Sequence, residues 1–284
     1  MALQESSDRA GAFKLRSSWG AIRTPGNTFA RQALLSYKAL FLWLNWPAYV
    51  SNVFLRPGLI VAMFALMGQF ARGDGAAEAY VIGLTAYAVP SIVMGGVLQS
   101  FYYERAFGTL SFLFASPAGR ASAYYARGVL HLPNALLAVA SALALSAVLL
   151  PIDAGRADWG AVTACFVAMA FSCTTCALFW GSFCIFFRDW QSFYSLMITV
   201  FLVFTGAIIP REVLPPGAYE FGGLLPTTFG IEGLREAFEG SGVRGIEREL
   251  MLEGLIGTAY AVAGLGLFRA LEAHARRSGA YDAG

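Results

Sequence analysis

Residues 159–209 read WGAVTACFVAMAFSCTTCALFWGSFCIFFRDWQSFYSLMITVFLVFTGAII, two long apolar stretches joined only by Arg188, Asp189 and Trp190. A hydrocarbon layer about 30 Å thick is crossed by about 20 apolar residues in a helix. Each stretch meets that length, so the segment reads as a helical hairpin through a membrane. Working outward, similar stretches fall at about 48–70, 80–102, 127–151 and 250–270, which with 159–187 and 191–209 make six expected spans. The span at 159–187 is the longest, and it is expected to tilt or to run past the bilayer on its cytoplasmic side. Composition agrees: 57% of the 284 residues are hydrophobic and 13% charged, where a soluble domain is roughly a quarter charged. The fold class is therefore all-α integral membrane.

Basic residues set the orientation. With both termini cytoplasmic, the inner set is Arg9, Lys14, Arg16, Arg23, Arg31, Lys38, Arg105, Arg120, Arg127, Arg188, Arg269, Arg276 and Arg277; the outer set is only Arg72, Arg156, Arg211, Arg235, Arg244 and Arg248. The first 25 residues lack the continuous apolar run of a secretory signal, which also keeps the N-terminus inside. Residues 27–46 place Phe29, Ala33, Tyr37, Leu40 and Leu44 on one helical face and Arg31, Lys38 and Asn45 opposite. That pattern predicts an amphipathic helix lying in the membrane surface. Pro47 argues against its running on into the first span.

A net charge of +2 with scattered basic residues excludes a nucleic-acid stripe. The four cysteines, Cys165, Cys173, Cys176 and Cys184, share one arc of the 159–187 helix, and both histidines lie outside that segment. They read as small buried hydrophobes rather than a metal site. The chain has two lysines, Lys14 and Lys38, neither after a glycine, so no G-x-x-x-x-G-K-[ST] phosphate cradle is present. No H-E-x-x-H or G-x-S-x-G stands in for it. Hydroxyl residues such as Ser172 and Thr175 read as helix glue.

Ionisable residues are nearly absent from the spans, which weakens a proton-coupled carrier. Arg56, beside Pro57 and Gly58, is the exception. It reads as a side chain snorkelling to the cytoplasmic surface, with lining a path or meeting an anionic headgroup as the alternatives. Phe193, Tyr194, Phe201 and Phe204 are candidates to line an amphipathic route, packing being the commoner use of such residues.

Two connections carry more pattern than a plain loop. The inner one, YYERAFGTLSFLFASPAGRASAYYARG from Tyr102, closes the second span with Glu104 and Arg105, bends at Gly108 and Thr109, and then offers Leu110, Phe112 and Leu113 before Ser116 and Pro117. A short apolar cytoplasmic helix does not stay exposed without cost, and it is expected to dock on a partner or rest on lipid. The outer one, residues 210–249, has apolar pieces too short to span, broken by Pro210, Pro215, Pro216 and Pro226; these suit short helices dipping into the outer surface. The stretch from Glu232 to Glu249 is expected to be a charged helix or turn facing water.

With these motifs in hand, the chain resembles the type-2 ABC exporter permeases. E-R-A-F-G-T-L followed by S-P looks like their cytoplasmic coupling segment. G-A-I-I-P-R-E-V-L-P, L-P-T-T-F and E-G-L-R, covering Gly206 to Arg235, are similar to their extracellular re-entrant region, and N-W-P with R-P-G-L-I is a weaker match at the first span. The resemblance implies a transmembrane domain over 27–272, flanked by cytoplasmic tails at 1–26 and 273–284, with an interface helix, six spans and re-entrant helices before the last. It implies an outer gate built on Gly206, Pro210, Leu214, Pro215, Pro226, Glu232, Gly233 and Arg235. Its partners would be a cytoplasmic ABC ATPase dimer, which holds the ATP and Mg, a second permease of the same or a sibling chain, and membrane lipid; no cofactor is expected on this chain. Ser111 departs from the family, which often has an acidic residue there. The expected function is export of an amphipathic or lipid-linked substrate, such as a drug, natural product or glycolipid. Export of a polysaccharide of O-antigen type is one alternative, and a membrane-embedded transferase or protease is another. Arginine-over-lysine usage with abundant Ala and Gly suggests a GC-rich bacterial genome, and so the plasma (inner) membrane.

Overall fold

The computed structural model describes residues 46–72, 74–106, 125–126, 128–129, 131–149, 155–184 and 189–278. The interface-helix residues Phe29, Ala33, Tyr37, Leu40 and Leu44, and the coupling residues Gly108, Thr109, Leu110, Phe112, Leu113, Ser116 and Pro117, lie outside them. Glu104 and Arg105 are described only as helical backbone.

Helix α1 runs from Trp46–Val50 through a π turn at Ser51–Leu55 and on as Arg56–Arg72. Pro57 explains the wider turn: it has no N–H for the carbonyl of Val53, and its ring crowds that carbonyl. The Arg56 N–H donates instead to Ser51 O, five residues back. Then come α2 (Asp74–Ala106), α3 (Leu132–Leu149), α4 (Trp159–Cys184) and α5 (Trp190–Phe204). A single 3₁₀ turn (Arg211–Val213) and two short helices, α6 (Pro216–Gly222) and α7 (Thr228–Phe238), lead to the long α8 (Glu247–Ser278). No strand occurs among the described residues.

Five of these helices are long and apolar enough to cross a membrane: Pro47–Ala71, Ala77–Tyr103, Leu132–Leu149, Trp159–Phe183 and Glu247–Ala270. At the expected span 191–209 the helix is shorter than read. Its helix ends at Phe204 after 15 residues, or about 22 Å, short of the hydrocarbon thickness. Residues 205–209 bend instead, with Gly206 at φ +86°, a conformation open to glycine and strained for other residues.

The core is organised around α2 and α4. α2 packs on α1, α3, α4 and α5, while α4 takes α8 along its length and α7 at one end. The shared core includes Val93, Met94, Val97, Leu98 and Phe101 from α2 and Met169, Cys173, Cys176 and Leu178 from α4. Cys165, Cys173 and Cys176 are buried free thiols in it. Asp158 caps α4, its Oδ1 accepting from the Ala161 N–H at 2.9 Å, and its own N–H donates to Ala237 O at the end of α7. The 3–4 connection is thereby tied to the layer of short helices between α5 and α8.

That layer corrects a second expectation. α7 buries Ile231, Leu234, Ala237 and Phe238 completely or nearly so, the i, i+3, i+6 and i+7 positions of an amphipathic helix. Glu232 to Phe238 is thus part of the packed layer, and the exposed residues of the stretch are Glu239, Gly240, Val243, Arg244, Gly245, Glu247 and Arg248.

Candidate functional site: a polar cavity and a packed layer

The bundle has two unlike ends. At the end formed by the starts of α1, α3 and α5 and the finish of α2 lies a cavity of about 600 Å³. Its walls come from Tyr49, Asn52, Arg56 and Ile60 of α1, Leu84, Tyr87, Ser91 and Gln99 of α2, His131 and Asn134 at the start of α3, and Gln191, Tyr194 and Ile198 of α5. α1 and α5 each pack on α2, and the cavity lies between them.

Helix irregularity shapes these walls. The π turn and Pro57 sit on the α1 side; on α2, Pro90 has no N–H for the Ala86 carbonyl. Gly96 lets the His131 ring lie against the α2 backbone, where a Cβ would stand 2.1 Å from Nδ1. Polar side chains brace the frame. The Tyr49 hydroxyl donates to Asn134 Oδ1 at 2.8 Å, that of Tyr194 to Ser91 O at 2.8 Å, and that of Tyr87 to Ile198 O at 3.2 Å. Asp189 caps α5 through the N–H groups of Gln191 and Ser192 and the Ser192 hydroxyl. These bonds, the Ser192 hydroxyl first, hold its carboxyl below the ordinary carboxylate range.

The opposite end is filled. Arg211, 5% exposed, lies 3.1 Å from Glu232 Oε1 and stacks over Tyr219 at 4.0 Å and Phe229 at 5.1 Å. The Arg211–Glu232 contact is an ion pair without an aligned hydrogen bond. Burial raises the Glu232 carboxyl above its usual range, against the downward pull of Arg211. Arg235 Nη2 donates to Gly206 O at 2.6 Å and so holds the bend after α5.

Sequence reasoning missed the residue that ties this end together. Glu253 of α8 is fully buried. It accepts the Thr227 N–H at 2.7 Å, the Gly230 N–H at 3.1 Å and the Ser172 hydroxyl of α4. A carboxyl at the start of α7 meets the orphan donors of a helix N-terminus. Thr227, at φ +74°, turns the backbone into that position. Reading Arg56 as the exception among the spans is corrected accordingly: a second ionisable residue is buried within one, supplied with donors from α4 and the start of α7.

The sequence candidates separate between the two ends. Arg56 and Tyr194 both line the cavity. Phe193 instead stacks near Trp180 at 5.6 Å, Phe201 is buried in the core, and Phe204 meets Phe221 edge-on at 5.2 Å. Gly206, Pro210, Leu214, Pro215, Pro226, Glu232, Gly233 and Arg235 all fall in the bend and layer between α5 and α8. There Pro210 and Pro215 precede the 3₁₀ turn and α6, and Gly233 packs against Glu249 and Cys165.

Five helices long and apolar enough to cross a membrane, three of which border a polar chamber together with α5, are the build of a multi-pass membrane protein. The family model described as ABC-2 type transporter matches residues 30–238. The chain belongs to that family: it is a transmembrane permease of an ABC transporter, and membership implies partnership with an ABC ATPase. No curated protein matches it.

Proposed function

We propose that this permease exports an amphipathic or lipid-linked substrate, driven by a separate ATPase dimer. The observation that carries the reading is the unlikeness of the bundle's two ends, a polar chamber at one and a filled, charge-linked layer at the other. With the termini cytoplasmic, as the basic-residue count favours, the chamber opens in the inner half of the membrane. Cargo enters there, and the layer from Ile209 to Arg235 closes the outer exit. The 15-residue α5 and the bend after it together complete a sixth crossing.

The segment from Glu104 to Pro117 seats on the ATPase, and the amphipathic stretch from Phe29 to Leu44 transmits its movement along the membrane surface. A second permease, identical or a sibling, completes the route. The outward apolar stripe of α1, Leu55, Leu59, Met63, Leu66 and Phe70, is exposed in the single chain and supplies a face for that partner or for lipid. ATP-driven closure of the motor shifts the equilibrium between inward- and outward-open pairs, which requires the coupling segment to bind the two motor states with different free energy. Neither Phe112→Asp nor Leu113→Asp should retain both the ATPase on purification and export. Normal export with normal co-purification of the ATPase would overturn the coupling assignment.

A further inference from the structure

Arg56 is exposed on the cavity wall, and among the described residues lining that cavity it is the only one carrying a formal charge. No carboxylate among the described residues lies within ion-pair distance of it. The acidic residue closest to the lining in sequence, Asp189, has its oxygens engaged by Gln191 and Ser192. The neighbouring tyrosines, Tyr87 and Tyr194, donate their protons to backbone carbonyls and neutralise nothing. A guanidinium within a membrane helix is rarely placed without a use for its charge. One without a counter-charge among the described residues, on a chamber wall, marks a place where the counter-charge can arrive with a ligand.

The lining also has an apolar part: Ile60 follows Arg56 by one turn on α1, and Leu84 precedes Tyr87 by one turn on α2. A volume of about 600 Å³ is in the range of small-molecule sites. We infer that the chamber binds an anionic amphiphile, its phosphate-ester or carboxylate headgroup on Arg56 and its apolar part toward Ile60 and Leu84. One guanidinium matches one negative charge, and its planar fork suits a bidentate oxyanion. The inference rests on the reading of this chamber as the place where cargo enters, and it adds the sign of the cargo's charge.

Binding to the purified full-length chain, without any ATPase, tests it separately from the coupling assignment. Calorimetry in a neutral detergent compares dioctanoyl phosphatidylglycerol, dioctanoyl phosphatidylcholine and inorganic phosphate on the unaltered chain and on Arg56→Gln and Arg56→Lys. The expected result is at least tenfold tighter binding of phosphatidylglycerol than of phosphatidylcholine, no saturable binding of phosphate at the same concentrations, loss of the preference in Arg56→Gln and its retention in Arg56→Lys. Equal affinities for the two lipids, an unchanged preference in Arg56→Gln, or phosphate displacing phosphatidylglycerol at comparable concentration would each overturn it. Because no motor is present, a failure here leaves the co-purification test of Phe112 and Leu113 standing, and the reverse holds as well.

Discussion

The two ends of this bundle treat charge in opposite ways. In the layer between α5 and α8, Arg211 has Glu232 and two aromatic faces, Arg235 has the Gly206 carbonyl, and Glu253 has donors from two other helices. In the chamber, Arg56 has no such partner among the described residues. Buried charge in a protein interior persists where its hydrogen bonds are met. By that standard the charges of the layer are part of the packing, and the one in the chamber is an open valence in the permease. The difference separates residues whose loss should unfold the layer from the residue whose loss should leave the fold in place.

Glu253→Ala should break the contrast most severely. It strands the N–H groups of Thr227 and Gly230 and the Ser172 hydroxyl in a dry core, and each unsatisfied donor costs about 1–3 kcal/mol. A loss of about 4 kcal/mol, read as a steep fall in the thermal unfolding midpoint of the detergent-purified chain, is expected; Glu253→Gln, which keeps an acceptor, should lose clearly less. Arg211→Ala comes next, at about 2 kcal/mol, since it leaves Glu232 half-buried without its ion pair and removes the stack on Tyr219 and Phe229. Retention of the full midpoint by either variant would dissolve the distinction between the ends. The smallest effect belongs to Arg56→Gln, which should move the same midpoint by no more than about 0.5 kcal/mol, the range of exposed substitutions. A large loss there would make Arg56 a structural charge like the others.

The membrane helices were legible because length and hydropathy are decided by composition alone, and the helix from Trp159 to Cys184 is the clearest case. Where conformation rather than composition decides, the sequence read less well. Thr205 to Ile209 is as apolar as the helix before it, yet the chain turns there because Gly206 reaches positive φ and Arg235 holds its carbonyl. In α7 the charges of Glu232, Arg235 and Glu236 drew the reading toward water, although Ile231, Leu234 and Phe238 already traced a buried face. Glu253 was legible in principle: it shares one helical face with Gly257, Gly264 and Phe268, which turn inward in α8. The sequence reading placed it inside the 250–270 span and gave it no role. Of the candidate pathway residues, Arg56 and Tyr194 meet in the chamber while three phenylalanines pack elsewhere, because aromatic residues at helical spacing carry no label distinguishing a wall from a core.

The wide turn at Ser51–Leu55 has a geometric corollary. A π turn holds about one residue more than an α turn, so it offsets the helix before it by roughly 100° relative to an unbroken α-helix. Annealing that turn would swing Tyr49 away from Asn134 and re-aim whatever precedes Trp46, while the packed face of Arg56–Arg72 kept its seat on α2 and α3. α1 is thus built like a bayonet joint, able to convert a twist applied at the membrane surface into a change in the mouth of the chamber without unseating the rest of the rod.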